Sequence, residues 1–259
     1  MTGISILTKA KLGTSKVMDA TSSTRRWLSW ATHRDVGADG HGEVEKNRFD
    51  VEAIAAEEAL KLVHQLFLRG KEPLKIVAFT GYDHGKGTSG ICAQTVRALS
   101  SLTSGSICLV EAKLRSPSIS PGRAASTQSG FAACLSREGP IRTFATSIYE
   151  DNVWLLSGCT NPADVNRIWR SERLQQRMLE LRNSFDYVIV DAPPLNGGSA
   201  ALMVGRHTDG LVIVLEAGSA RREASIRAAE QVRAAGIPLL GAVLDKRTFP
   251  IPESLYRRL

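Results

Sequence analysis

Short, continuous apolar runs recur along this chain, and longer helix-forming stretches fill most of the intervals between them. The runs are "KIVAF" (75–79), "SICLV" (106–110), "VWLL" (153–156), "DYVIV" (186–190), "GLVIVL" (210–215) and "LLGAVL" (239–244). Continuous apolarity, without polar alternation, predicts strands buried on both faces. Between them lie "GICAQTVRALSSL", "SERLQQRMLELRNS" and "RREASIRAAEQVRAAG", all good helix formers. Strands spaced by helices predict a doubly wound, mainly parallel α/β sheet, with ligand chemistry at the carboxyl ends of the strands. Ahead of the first run, Val51, Ala55, Ala59, Leu62 and Leu66 fall on one stripe and predict an extra N-terminal helix over 51–68. No internal repeat or low-complexity segment interrupts the pattern.

With 259 residues, 43% of them hydrophobic, the chain can bury one large core. No run of apolar residues is long enough to span a bilayer, and the first thirty residues lack an apolar core with a small-residue cleavage site. The four cysteines, Cys92, Cys108, Cys134 and Cys159, form no C-x-x-C pair and are expected as buried thiols in a reducing cytoplasm. The net charge of +7 is unevenly spread. Residues 1–34 hold Lys9, Lys11, Lys16, Arg25, Arg26 and Arg34 against Asp19 alone. Interleaved Ile4, Ile6, Leu7, Trp27, Leu28 and Trp30 leave two readings, an anchor for anionic lipid or an acidic partner, and a solvated, disordered terminus. Gly37, Gly40 and Gly42 mark a linker. The expected organisation is a basic, disordered tail over 1–45 and one α/β domain over 46–259.

Three loops at strand ends carry chemistry. "KIVAFTGYDHGKGTSG" (75–90) runs from a strand through a glycine-bearing turn into a helix, the shape of a phosphate-binding loop. Such a loop aims backbone N–H groups at an anion, adds a lysine as a mobile cation and uses a hydroxyl to hold Mg²⁺. Here the order is altered, G-K-G-T-S instead of G-K-[ST]. "CLVEAKLRSPS" (108–118) ends a strand at Glu111, followed by Lys113 and Arg115. That acid would orient a metal-bound water or a nucleophile, or simply form an end-of-strand ion pair. "FDYVIVDAPPL" (185–195) ends at Asp191 before a Pro-Pro turn, a good second acid for a metal.

In this order and spacing the loops resemble the bacterial tyrosine-kinase family of capsule and exopolysaccharide synthesis, P-loop proteins of the wider MinD/ParA-like group. The likeness covers about residues 50–245 and includes "EEALKLVHQL", "LLSGCTNPADV", "TDGLVIVLEAGSARREA" and "GIPLLGAVLD". It implies a P-loop sheet of MinD/ParA-like type. It further implies ATP or ADP at Gly85, Lys86, Gly87, Thr88 and Ser89, with Asp245 on the purine side. Mg²⁺ would sit on Ser89 and Asp191, and Glu111 and Asp191 would be the catalytic acids. Glu58, Lys61 and His64 hold the places of a family motif that packs one subunit on the next; an ordinary charged helix face is the alternative.

The departures are specific. Thr88 stands in the place of the loop lysine, and Lys86 in that of a glutamate. Glu111 and Lys113 replace two aspartates of the second motif, so Lys113 brings positive charge to the metal position and is expected to draw Glu111 into pairing. Ala200 stands where many members have an acid. The tyrosine cluster that family kinases carry at the C-terminus is reduced to Tyr256 as sole phosphoacceptor candidate. Arg170, Arg173 and Arg177 are expected on a solvated helix face. Aromatics do not interleave with the domain's basic residues, which argues against nucleic acid.

These features together predict a cytoplasmic tyrosine-kinase-like subunit, peripheral at the inner face of the plasma membrane. It would regulate or scaffold polysaccharide polymerisation and export as a homo-oligomer on a membrane co-polymerase, with impaired catalysis. Two rival readings stand beside it: an active kinase or ATPase using Lys86, and a positioning protein of the wider group.

Overall fold

The computed structural model describes residues 2–7, 43–69, 73–83, 87–114, 129–149, 152–158, 165–169, 172–218, 220 and 222–248. Eight strands form one sheet: β1 (Thr2–Leu7), β2 (Ile76–Gly81), β3 (Ile107–Glu111), β4 (Thr146–Tyr149), β5 (Val153–Leu156), β6 (Tyr187–Asp191), β7 (Gly210–Glu216) and β8 (Leu239–Thr248). Their spatial order is β1-β8-β7-β2-β6-β3-β5-β4. The six strands from β8 to β5 run parallel, and antiparallel β1 and β4 close the two edges. Every expected strand is present, and the parallel, doubly wound architecture is as the apolar runs predict.

Alternate residues of each strand face opposite layers. Val77 and Phe79 of β2, with Ile107, Leu109 and Ile189, pack under two helices, α1 (Glu43–Val63) and α2 (Thr88–Leu102). Ile76 and Ala78, with Cys108, Val110, Val188 and Val190, pack on the other side. That second layer contains α3 (Phe131–Ser136), α4 (Ile141–Phe144), α5 (Val165–Trp169), α6 (Arg173–Ser184), α7 (Ala200–Gly205) and α8 (Arg222–Ala234). Burial on both faces is why the strands read as unbroken apolar runs. Cys92, Cys108 and Cys134 are free and buried, and burial pushes the Cys134 thiol up to about 12.

Three expectations change. The N-terminal helix starts earlier than the apolar stripe, at Glu43, and its last turn widens into a π-helix over His64–Leu68. That wider turn ends with Leu66 and Phe67 buried, Phe67 standing edge-on to Tyr187 at 5.7 Å. Disorder over the whole of 1–45 does not hold, because Thr2–Leu7 is a strand on the edge of β8 and α1 begins at Glu43; the rest of that tail, 8–42, lies outside the described residues. Arg177 is 5% exposed, not solvated. Its guanidinium donates to the carbonyls of Cys134, Gly139 and Arg137, pairs with Glu180 and lies over the Phe144 ring at 5.3 Å. Arg177 therefore ties the loop after α3 to α6. Arg173 pairs with Glu138 on the surface, and Arg170 is outside the described residues.

Candidate functional site: Ser89, Asp191 and Lys113 at the strand ends

The parallel strands bring their carboxyl ends to one rim, and in register terms Phe79 and Glu111 both lie beside Asp191. The turn after β2 leads into α2, and the turn after β6 is fastened to it. Ala192 N–H donates to Phe79 O at 2.9 Å, Thr80 Oγ1 to Pro193 O at 2.6 Å, and Asn196 N–H to Tyr82 O at 3.0 Å. Gly87 caps α2 in the left-handed region, with φ 76°. Glycine adopts that conformation without steric cost. There is a second reason for it here: a Cβ at this position would lie 1.8 Å from Asp245 Oδ2.

Ser89, Asp191 and Lys113 form a triad of contacts, in which Lys113 meets Asp191 Oδ1 as an ion pair without hydrogen-bond geometry. Ser89 Oγ donates to Asp191 Oδ2 at 2.6 Å. The Lys113 ammonium donates to Ser89 Oγ at 2.9 Å and lies 2.8 Å from Asp191 Oδ1. Asp191 is fully buried, and the Lys113 side chain is 18% exposed. Burial holds the Asp191 carboxyl above the ordinary carboxylate range, although Lys113 and Ser89 both favour its ionised form.

The family resemblance implies Ser89 and Asp191 as the ligands of any bound Mg²⁺, and the two side chains do lie together. It also places a lysine ammonium in contact with both. Mg²⁺ demands near-octahedral oxygen ligation at about 2.0–2.1 Å, and a cation between the same two side chains would have to displace the ammonium or endure it as a like charge. As arranged, this donor set does not fit the ion. The expected pairing of Lys113 with Glu111 is also corrected. Lys113 goes to Asp191, and Glu111 Oε2 instead accepts the Gly158 N–H at 3.1 Å, pinning the turn after β5 against the tip of β3. A Cβ on Gly158 would lie 2.6 Å from Glu111 O, so that turn is packed directly on the strand end.

Thr88, which the resemblance sets in the place of the family's loop lysine, is buried at the first turn of α2 and brings no charge. Asp245 sits at the end of the parallel register beside Glu216, with Lys246 N–H donating to Asp245 Oδ1 at 2.8 Å and Lys246 Nζ pairing with Glu216 at 2.7 Å. Burial raises the Asp245 carboxyl above its ordinary value. A carboxylate this close to Gly87 adds negative potential where a phosphate loop needs positive potential. The family resemblance puts Asp245 on the purine side, and the sequence carries no sign of its approach to Gly87, which only the folded structure reveals.

Lys61 pairs within its own helix, with Glu58 at 2.9 Å and Glu57 at 3.0 Å, and His64 is exposed at the start of the π-turn. Gly85 and Lys86 of the loop, Cys159 and Tyr256 lie outside the described residues. Among the described residues, no helix is long and apolar enough to cross a membrane, and no group of three or more His, Cys, Asp or Glu side chains is disposed to hold a metal.

No protein-family profile matches the chain. Among curated proteins, the tyrosine-protein kinase CpsD of Streptococcus agalactiae is 27% identical over 179 residues, 68% of this chain and 77% of the relative. Among solved structures, the kinase domain of the Escherichia coli tyrosine kinase ETK superposes with a TM-score of 0.68 at 19% identity, covering 87% of this chain and 89% of that one. The septum site-determining protein MinD of Pyrococcus horikoshii, solved with Mg-ADP, gives 0.55 at 16% identity over 65% and 68% of the two chains. Colinear sequence likeness to tyrosine kinases, together with a shared sheet, makes this chain similar to bacterial tyrosine-protein kinases, with a fold that it shares with their kinase domains and with MinD.

Proposed function

We propose that this protein is a tyrosine-kinase-fold regulatory subunit of exopolysaccharide polymerisation and export, in which phosphoryl transfer is impaired. It acts at the inner face of the plasma membrane, docked on a membrane co-polymerase and assembled with further copies of itself. The reading is supported by the family relationship and by one observation above all, the Lys113 ammonium held between Ser89 and Asp191. Phosphoryl transfer depends on positioned cationic charge over the transferring group, and such electrostatic stabilisation commonly lowers the barrier by several kcal/mol. This site lacks the loop lysine at 88, and its strand-tip acid is committed to an internal ion pair.

An assay of ATP hydrolysis and of tyrosine phosphorylation with Mg²⁺, on wild type and Asp191→Ala, tests the proposal. The expected result is no turnover above the buffer rate in either protein, with polysaccharide output still lost when the gene is deleted. Turnover by the wild type that disappears in Asp191→Ala would overturn it.

A further inference from the structure

We infer that Lys113 is a resident cation: its ammonium takes the structural place of the divalent ion, so the site is complete without metal and does not respond to Mg²⁺. The inference deepens the proposed function, because it concerns how the same site is regulated, and it rests on the same family reading of Ser89 and Asp191 as the metal's ligands.

Four observations carry it. The ammonium contacts both of the side chains that the family pattern assigns to the metal, at 2.9 and 2.8 Å. Asp191 is fully buried between β2 and β3, where an ionised carboxylate with no nearby cation is strongly disfavoured. Ser89 spends its hydroxyl proton on Asp191 Oδ2, which leaves its lone pairs for the ammonium. The Glu111 carboxylate, the other strand-tip acid, has an oxygen engaged by the Gly158 N–H. Lys113 reaches the site because Ala112, between it and β3, is fully buried and its N–H donates to Asp191 O at 3.0 Å, which fixes the chain just after the strand.

If Lys113 performs this task, removing it should create a need for metal. Thermal unfolding of the full chain is measured in millimolar MgCl₂ and in NaCl of equal ionic strength, with EDTA in the latter. Wild type is expected to melt at the same temperature in both. Lys113→Asp, which leaves acidic side chains and no cation, is expected to melt on the order of 10 °C lower in EDTA and to regain several degrees in Mg²⁺. Lys113→Met serves the same comparison should Lys113→Asp not fold. The double variant Lys113→Met with Asp191→Asn removes both charges and is expected to melt near wild type, with no response to Mg²⁺. A wild type stabilised by Mg²⁺ as strongly as the variants, or variants that Mg²⁺ does not rescue, would overturn the inference. Neither outcome depends on turnover, so a metal-insensitive wild type that still hydrolysed ATP would sink the proposed function and leave this inference standing.

Discussion

At the scale of single residues, the site is decided by two close contacts, Lys113 on Asp191 and Asp245 on Gly87. The first was half legible. A lysine two positions beyond a strand-tip acid announces charge near the metal position, but Glu111 is its nearer neighbour in sequence, and only the strand order, with β6 between β2 and β3, brings Asp191 closer in space. The second was not legible at all, because residues 87 and 245 meet through the tertiary crossing alone. It yields a prediction. Gly87→Ala meets both a positive φ and a carboxylate 1.8 Å from the new methyl carbon, so it should lose about 1–3 kcal/mol from backbone strain plus the cost of moving Asp245. In a double-mutant cycle by urea unfolding, adding Asp245→Ala should recover the steric part and leave the strain. Simple additivity of the two losses would show that the contact is not what makes glycine necessary.

At the scale of elements, the start of β2 depends on one carboxylate. Asp209, just before β7, accepts the N–H groups of Lys75 and Ile76 at 2.6 and 2.8 Å and pairs with Arg182 of α6. Burial pushes this carboxyl up, but the Arg182 and backbone hydrogen bonds outweigh it, and the net shift is downward. A lowered folded-state pKa stabilises fully above the ordinary carboxylate value of 3.8 and is lost as pH falls through the lower folded value. Asp186, held low by Ser106, acts in the same direction, whereas Asp191, held high by burial, gains stability as pH falls towards its unfolded value. Asp209→Asn should cost about 1–3 kcal/mol at neutral pH and flatten the decline of the urea midpoint below about pH 4. An unchanged acid limb would show that Asp209 is not a source of it. Elsewhere, the strands were legible because continuous Val, Ile and Leu runs need two-sided burial. The edge strands β1 and β4 were missed, since "TGISIL" sits in a basic segment and "TSIY" is short and half polar. Arg177 misled for a related reason: its helical spacing matches a solvated face, and nothing in the sequence shows the three carbonyls that gather around it.

At the scale of the whole molecule, the scaffold and the site tell different stories. The sheet and its two helical layers give the fold shared with the kinase domain of ETK and with MinD, and both of its apolar layers are filled. At the rim, Lys113 closes on Asp191, Lys246 on Glu216, and Asp245 approaches Gly87. The proposed regulatory role rests on this combination of a filled scaffold with a lysine ammonium on the strand-end carboxylate. Calorimetric titration of the full chain with ADP and ATP, in Mg²⁺ and in EDTA, tests this most directly. The account predicts no component of nucleotide binding that requires Mg²⁺, so the two titrations should coincide; binding that is strong with Mg²⁺ and abolished by EDTA would contradict it.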